Sequence, residues 1–199
     1  SLIDAGARNE QVRLAGRATG SERLLPHAPT EVTQPNDPNR QSSQHHDDLL
    51  PWPAPSEKGV IELTTDGPFH AEDINTDRPL VVRGLPGVRP RILVPGPSIR
   101  WSAPVVQMEN VEFIRESDSA SPVMLAVHSL NLSINGCRFT SHNSQEPATA
   151  IASKVSDPAN PTGGKLLMRN TVLEGTMHAV DTHTMPRALS FDNCLKTGT

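Results

Sequence analysis

The chain has 199 residues, a formal net charge of −4 and only 3% aromatic residues. The negative balance removes the electrostatic case for a nucleic-acid partner. No run approaches the roughly 18 consecutive apolar residues of a membrane-spanning helix. The chain opens at Ser1 without a signal-peptide pattern, so it reads as a piece of something longer.

Residues 1–58 differ in composition from the rest. They hold three Val or Ile residues (Ile3, Val12 and Val32) against twenty in 59–199, and seven of the 19 prolines. A segment so poor in apolar residues cannot bury enough surface to order itself, so 1–58 is expected to be a mostly disordered, Pro-rich linker. A weak helix over 2–15 is the one element it suggests. The run Pro51-Trp52-Pro53-Ala54-Pro55 is stiff, and Trp52 is placed to dock on the first ordered element as a cap. His45-His46-Asp47-Asp48 has metal-ligand residue types, but adjacent residues on a flexible chain make a poor preformed site, and a solvated loop is the simpler reading.

From Gly59 onward the pattern changes. Val60-Ile61-Glu62-Leu63 reads as a strand, Asp66-Gly67-Pro68 as a turn, and Phe69 as an inward residue. One short pattern then recurs at 80–87, 106–113, 132–139, 166–173 and 189–196. Aligned on Gly84, Asn110, Gly136, Asn170 and Asn193, the position two before the anchor holds Val82, Met108, Ile134, Met168 and Phe191. The position four before holds Leu80, Val106, Leu132, Leu166 and Leu189, and polar residues fill the position one before. Apolar residues at two-residue spacing make a half-buried strand. Gly and Asn tolerate the left-handed backbone best, so each anchor predicts a sharp one-residue bend.

Between the copies, Pro86-Gly87 and Pro90 mark a corner before a strand at 91–94. Residues 95–104 read as an exposed loop carrying Arg100 and Trp101, a pair suited to stacking on a sugar or gripping a partner. A Trp covering the end or side of a coil is the bland alternative. A polar loop at 115–121 leads to a strand at 123–127. The anchors lie 26, 26, 34 and 23 positions apart, so the widest coil carries about ten extra residues, placed at 140–147 and 153–164.

A period in the twenties built from strand, bend and strand indicates a solenoid. The expected fold is all-β: a right-handed, single-stranded parallel β-helix of five to six coils over 59–199, incomplete at its C-terminal end. A β-sandwich with coincidental spacing is the alternative. Cys137 and Cys194 share a ladder position two coils apart, about 9.6 Å by the strand spacing, beyond the about 7 Å of a disulfide. Both are expected to be free, buried thiols.

The chemistry-bearing positions are sparse. His178, Asp181 and His183, near Arg187, form the best polar cluster, suited to acid–base work or metal ligation if a neighbouring coil adds to it. Glu112 and Arg138 fall on adjacent coils and are expected to pair. Asn75-Thr76-Asp77 matches a polygalacturonase tripeptide, but the paired Asp motif, Gly-His-Gly and Arg-Ile-Lys of that family are missing. Asn131-Leu132-Ser133 is a glycosylation sequon inside a predicted strand.

The segments Ile61-Glu62-Leu63, Asp66-Gly67-Pro68-Phe69, Pro79-Leu80-Val81-Val82-Arg83-Gly84 and Gly87-Val88-Arg89-Pro90-Arg91-Ile92, with Gly136-Cys137-Arg138-Phe139 and Asn193-Cys194, carry a resemblance. Over about 59–199 the chain resembles the right-handed, pectate-lyase-like β-helix regions of large bacterial surface or signalling proteins. Some of these follow a serine/threonine kinase domain and a linker. The resemblance implies a module without catalytic residues, binding a glycan or protein partner or spacing other domains, and it leans toward an extracytoplasmic or cell-surface location. The alternative is a fragment of a polysaccharide lyase or glycoside hydrolase; a lyase would use Ca²⁺, and no other cofactor is implied. Unpaired strand edges at the coil ends are expected to self-associate.

Overall fold

A computed structural model describes residues 49–94, 96, 98–115, 121–142, 146–154, 164–183 and 186–198 of the chain. Most of 1–58, with the helix expected at 2–15 and the His45-His46-Asp47-Asp48 run, lies outside these residues.

Period-two alternation becomes strand throughout, and no helix forms among the described residues. The first turn is β1 (Val60–Leu63), β2 (Phe69–His70) and β3 (Ile74–Asn75). The second is β4 (Leu80–Gly84), β5 (Arg91–Val94) and β6 (Ile99–Ser102). The third is β7 (Val105–Glu109), β8 (Glu112–Arg115) and β9 (Val123–His128). The fourth is β10 (Asn131–Asn135), β11 (Arg138–Ser141) and β12 (Ala148–Lys154). The fifth is β13 (Lys165–Arg169), β14 (Val172–Glu174) and β15 (Met177–Thr182), and β16 (Ala188–Asp192) and β17 (Leu195–Thr197) follow.

Every third strand pairs, in parallel, with the one a turn away. The first sheet runs β1-β4-β7-β10-β13-β16, the second β2-β5-β8-β11-β14-β17, and the third β3-β6-β9-β12-β15. The fold is a parallel β-solenoid.

The repeat register survives residue by residue. Val82, Met108, Ile134, Met168 and Phe191 are successive partners across the first sheet. On the second sheet Ile92, Phe113, Phe139, Leu173 and Lys196 form one ladder. In it the rings of Phe113 and Phe139 stack nearly parallel with centroids 5.0 Å apart. Each fully buried large apolar side chain contributes about 1.5–3 kcal/mol, whereas an exposed ion pair adds about 0–1 kcal/mol. Interior ladders therefore hold the stack, and the outward pairs Arg83–Glu62 and Arg169–Asp192 cancel charge along it.

The anchors divide into two kinds. Asn110, Gly136, Asn170 and Asn193 have φ between 48° and 66°, the left-handed bend expected of them. Their side chains add an outer ladder: Asn193 Nδ2 donates to Asn170 Oδ1 at 2.8 Å, and Asn170 Nδ2 donates to Asn135 Oδ1 at 2.9 Å. Gly84 corrects the pattern. It ends β4 without a positive φ, and the bend moves to Gly87, whose φ is 84° in a turn closed by Val88 N donating to Leu85 O. Gly84 is needed for a close approach instead: a Cβ there would lie 2.5 Å from Asn110 O and 2.6 Å from Pro90 Cδ.

Several other expectations are corrected. Residues 95–104 are not one exposed loop, because Ile99–Ser102 is strand β6 and Trp101 is interior. Arg115 does not open a loop but closes β8 at a fully buried position. Of the extra residues placed at 140–147 and 153–164, Thr140 and Ser141 belong to β11, and Ser153 and Lys154 to β12. Cys194 is half-buried, not buried.

Trp52 does cap the first turn. Its ring lies 6.4 Å from that of Phe69, edge-on, and 6.2 Å from that of Trp101. Leu50 bridges Phe69 in parallel, with its N donating to Pro68 O at 2.8 Å.

Two predictions follow from this packing. Gly84→Ala should destabilise the fold by about 2–3 kcal/mol through overpacking against backbone. Gly87→Ala, which meets open space, should cost only the about 1 kcal/mol of a strained φ. Urea unfolding midpoints order the two. Removing the half-buried cap with Trp52→Ala should cost about 2 kcal/mol, less than the roughly 3–5 kcal/mol of a fully buried ring. It should also open Trp101 to a fluorescence quencher, which thermal unfolding alone would not report.

Candidate functional site

On the third sheet the outward side chains of β3, β6 and β9 border open grooves. One outward column reads Arg100, Ala126, Ala152 and Asp181 across successive strands. The next reads Asn75, Ser102, His128 and Lys154. Because Ala126 is small, the sheet sinks beside Arg100. Asp73, Asn75, Arg100, Ser102, Ala126 and His128 line a groove of about 340 Å³ there. A second groove of about 350 Å³, bordered by His70, Glu72 and Ser98, shares Asp73 and Arg100.

Arg100 is the pivot of both grooves. Its backbone N donates to Asp73 Oδ1 at 2.7 Å, which ties the β6 strand to the residue preceding β3. Its guanidinium is exposed and makes no hydrogen bond or ion pair with a described residue. An Arg left without a partner beside an amide, a hydroxyl and an imidazole offers a planar fork of donors to a carboxylate or sulfate.

Trp101 borders the groove, but its side chain is turned into the interior. It is 1% exposed, its Nε1 donates to Glu72 O at 3.1 Å, and its ring stands edge-on to Phe113 at 5.9 Å. Strand alternation is the reason: when Arg100 points out, its neighbour points in. The signal was present in Ile99, Trp101 and Ala103, all buried and two apart, but the prolines at 95, 97 and 104 masked it as a loop. The groove partners of Arg100 were invisible in the chain because Asp73, Asn75, Ser102 and His128 meet only through the register of three strands.

His178, Asp181 and His183 lie on or just after β15, all exposed. On β12, the neighbouring strand, His178 faces Thr149 and Asp181 faces Ala152. Opposite His178 and Asp181 the adjacent strand thus sets no acid or base. The carboxylates of Asp73 and Asp181 stand four strands apart, about 19 Å by the strand spacing. A glycosidase pair needs about 5–9.5 Å.

Glu112 and Arg138 pair as their positions foretold, with Arg138 Nε 3.9 Å from Glu112 Oε1, and Arg138 Nη1 reaches Glu174 Oε2 at 3.0 Å. Asn75 of the Asn75-Thr76-Asp77 tripeptide lies on β3 and Asn131 of the sequon is exposed on β10. Among the described residues no three His, Cys, Asp or Glu side chains are placed to hold a metal ion. Nor is any helix among them long and apolar enough to cross a membrane.

Both cysteines are free. They share the ladder Val111, Cys137, Thr171 and Cys194, with Thr171 between them as the two-coil spacing requires. Burial pushes the Cys137 thiol up to about 12, and backbone hydrogen bonding, from Val111 first, only partly offsets the loss of water. A neutral, enclosed thiol is a poor nucleophile.

No family model, curated protein or solved structure matches this chain.

The thiols give a direct check on that geometry. Under native conditions at pH 8, a thiol reagent should modify Cys194 and leave Cys137 at least about a hundredfold slower, because so little of it is thiolate. Denaturant should bring both to the same rate.

Proposed function

We propose that the solenoid is a non-catalytic binding module, and that it takes a carboxylate-bearing glycan along the outward face of the third sheet. The observation that supports this is the groove of about 340 Å³ at Arg100, whose guanidinium has no partner among the described residues while Asn75, Ser102 and His128 stand beside it. A carboxylate entering there meets the Arg100 fork, the Asn75 amide, the Ser102 hydroxyl and the His128 imidazole, with the Asp73 carboxylate, which accepts from Arg100 N, also in the lining. The outward column continues through His128 to Lys154 on the next strand, which gives an extended chain a second cation one strand spacing farther on. Recognition by these groups needs no stacking aromatic, in keeping with the interior position of Trp101.

The resemblance to β-helix regions of large bacterial surface or signalling proteins supports the same reading, with the module downstream of another domain. The wide separation of Asp73 and Asp181 weighs against the hydrolase alternative.

Affinity electrophoresis of the full chain against carboxylated, sulfated and neutral soluble polysaccharides, with and without Ca²⁺, tests this. Retardation by a carboxylated polymer is expected, independent of Ca²⁺ and weakened by salt. Arg100→Ala should weaken it at least about tenfold, the loss of one charge-assisted hydrogen bond. If no polymer retards the chain, the glycan reading fails and the groove belongs to a protein partner.

A further inference from the structure

Asn135-Gly136 is the one Asn-Gly pair in the chain, and it forms the bend of the fourth turn. An asparagine before glycine carries its own reaction. The following backbone nitrogen, once deprotonated, attacks the side-chain amide carbon, and glycine has no side chain to hinder it. Here the fold demands that glycine. Its φ is 66°, and a Cβ on it would lie 2.5 Å from Asn110 Oδ1. The other bend asparagines, Asn110, Asn170 and Asn193, precede Val111, Thr171 and Cys194, each with a side chain beside the nitrogen. Both reacting groups are held by consecutive residues of the fifth turn. The nucleophile, Gly136 N, donates to Arg169 O at 3.1 Å. The oxygen of the attacked amide, Asn135 Oδ1, accepts from Asn170 Nδ2 at 2.9 Å. Asn135 is exposed, so water reaches it.

We propose that Asn135 is a self-modification site, locked by Arg169 and Asn170 and released when their bend lifts from the fourth turn. Gly136 N loses its proton to solvent and bonds to Asn135 Cγ. The Cγ–Nδ2 bond breaks, and Nδ2 takes up a proton and leaves as ammonia, which closes a cyclic imide. Water then adds to one of the two imide carbonyls. Opening at Cγ gives aspartate, and opening at the main-chain carbonyl gives isoaspartate. One amide and one water become one carboxylic acid and one ammonia, with nothing oxidised or reduced.

The two products act differently on the stack. Aspartate keeps an acceptor for Asn170 and sets a negative charge between Glu109 and Arg169 in the outward column. Isoaspartate routes the chain through the side-chain carbon, one backbone atom longer, at a corner whose strands tolerate no slip of register. Conversion therefore weakens the seam that delayed it. The bend is a one-way timer of local opening between the fourth and fifth turns.

The experiment incubates the full chain in mildly alkaline buffer and follows the Asn135 peptide by mass spectrometry, with the aspartate and isoaspartate forms separated. Conversion should be at least about tenfold faster in denaturant than in the folded chain. Asn170→Gly keeps the left-handed corner but removes the amide donor, and should speed conversion of the folded chain about threefold to tenfold. Gly87→Ala, a comparable destabilisation two turns away, should leave the rate unchanged. Equal rates in the folded and unfolded chain, no gain in N170G, or an equal gain in G87A would overturn the inference.

Discussion

Everything in this fold depends on parallel pairing between equivalent positions one turn apart. Once Leu80 pairs with Val106, the next residue in each strand is obliged to pair with its counterpart, and every inward side chain lands on an inward side chain. A one-residue slip would send the whole apolar set of a turn to the surface. The bends enforce this register. Between the first and second sheets only two residues are available from the third turn onward, and one of them, Asn110, Gly136, Asn170 or Asn193, has to be left-handed. The backbone N of each of the first three anchors then donates across to the residue before the next anchor, as Asn110 N does to Asn135 O at 3.0 Å. The bend is thus both a corner and a rung.

Because the constraint repeats, most of the architecture was legible from the chain. Strands β1 and β5 fall at the residues their alternation marks out, and the five aligned segments fall on β4 with its corner and on the β7–β8, β10–β11, β13–β14 and β16–β17 pairs. What was not legible has a common cause. At Gly84 two physical reasons for glycine, positive φ and lack of room for a Cβ, produce the same letter, and only the approach of Asn110 O separates them. At Trp101 the flanking prolines concealed three alternating inward residues. Arg115 sits at an inward position of β8 where a charged side chain is the last residue the pattern would place.

The candidate site was less legible than the fold, for a different reason. A ladder can be read along one strand, but a groove is built across strands. Arg100 stood out as a lone cation near a Trp, and the structure keeps the cation while withdrawing the Trp. The residues that give Arg100 a setting come from the end of the first turn, the second turn and the third, and their distance in sequence hides their proximity. By contrast His178, Asp181 and His183 drew notice by being close in sequence, and β12 sets only Thr149 and Ala152 opposite the first two.

In a stack where each turn touches only its neighbours, rigidity is inherited turn by turn. The cap of Leu50 and Trp52 clamps the first turn, while among the described residues β16 and β17 are paired on one side. The groove at Arg100 is assembled from β3, β6 and β9, the strands nearest the clamp. Two further turns, about 10 Å of stacked strands, stand between it and β16. A disturbance beyond those turns therefore reaches the groove only through each turn in succession, and one next to the cap reaches it at once.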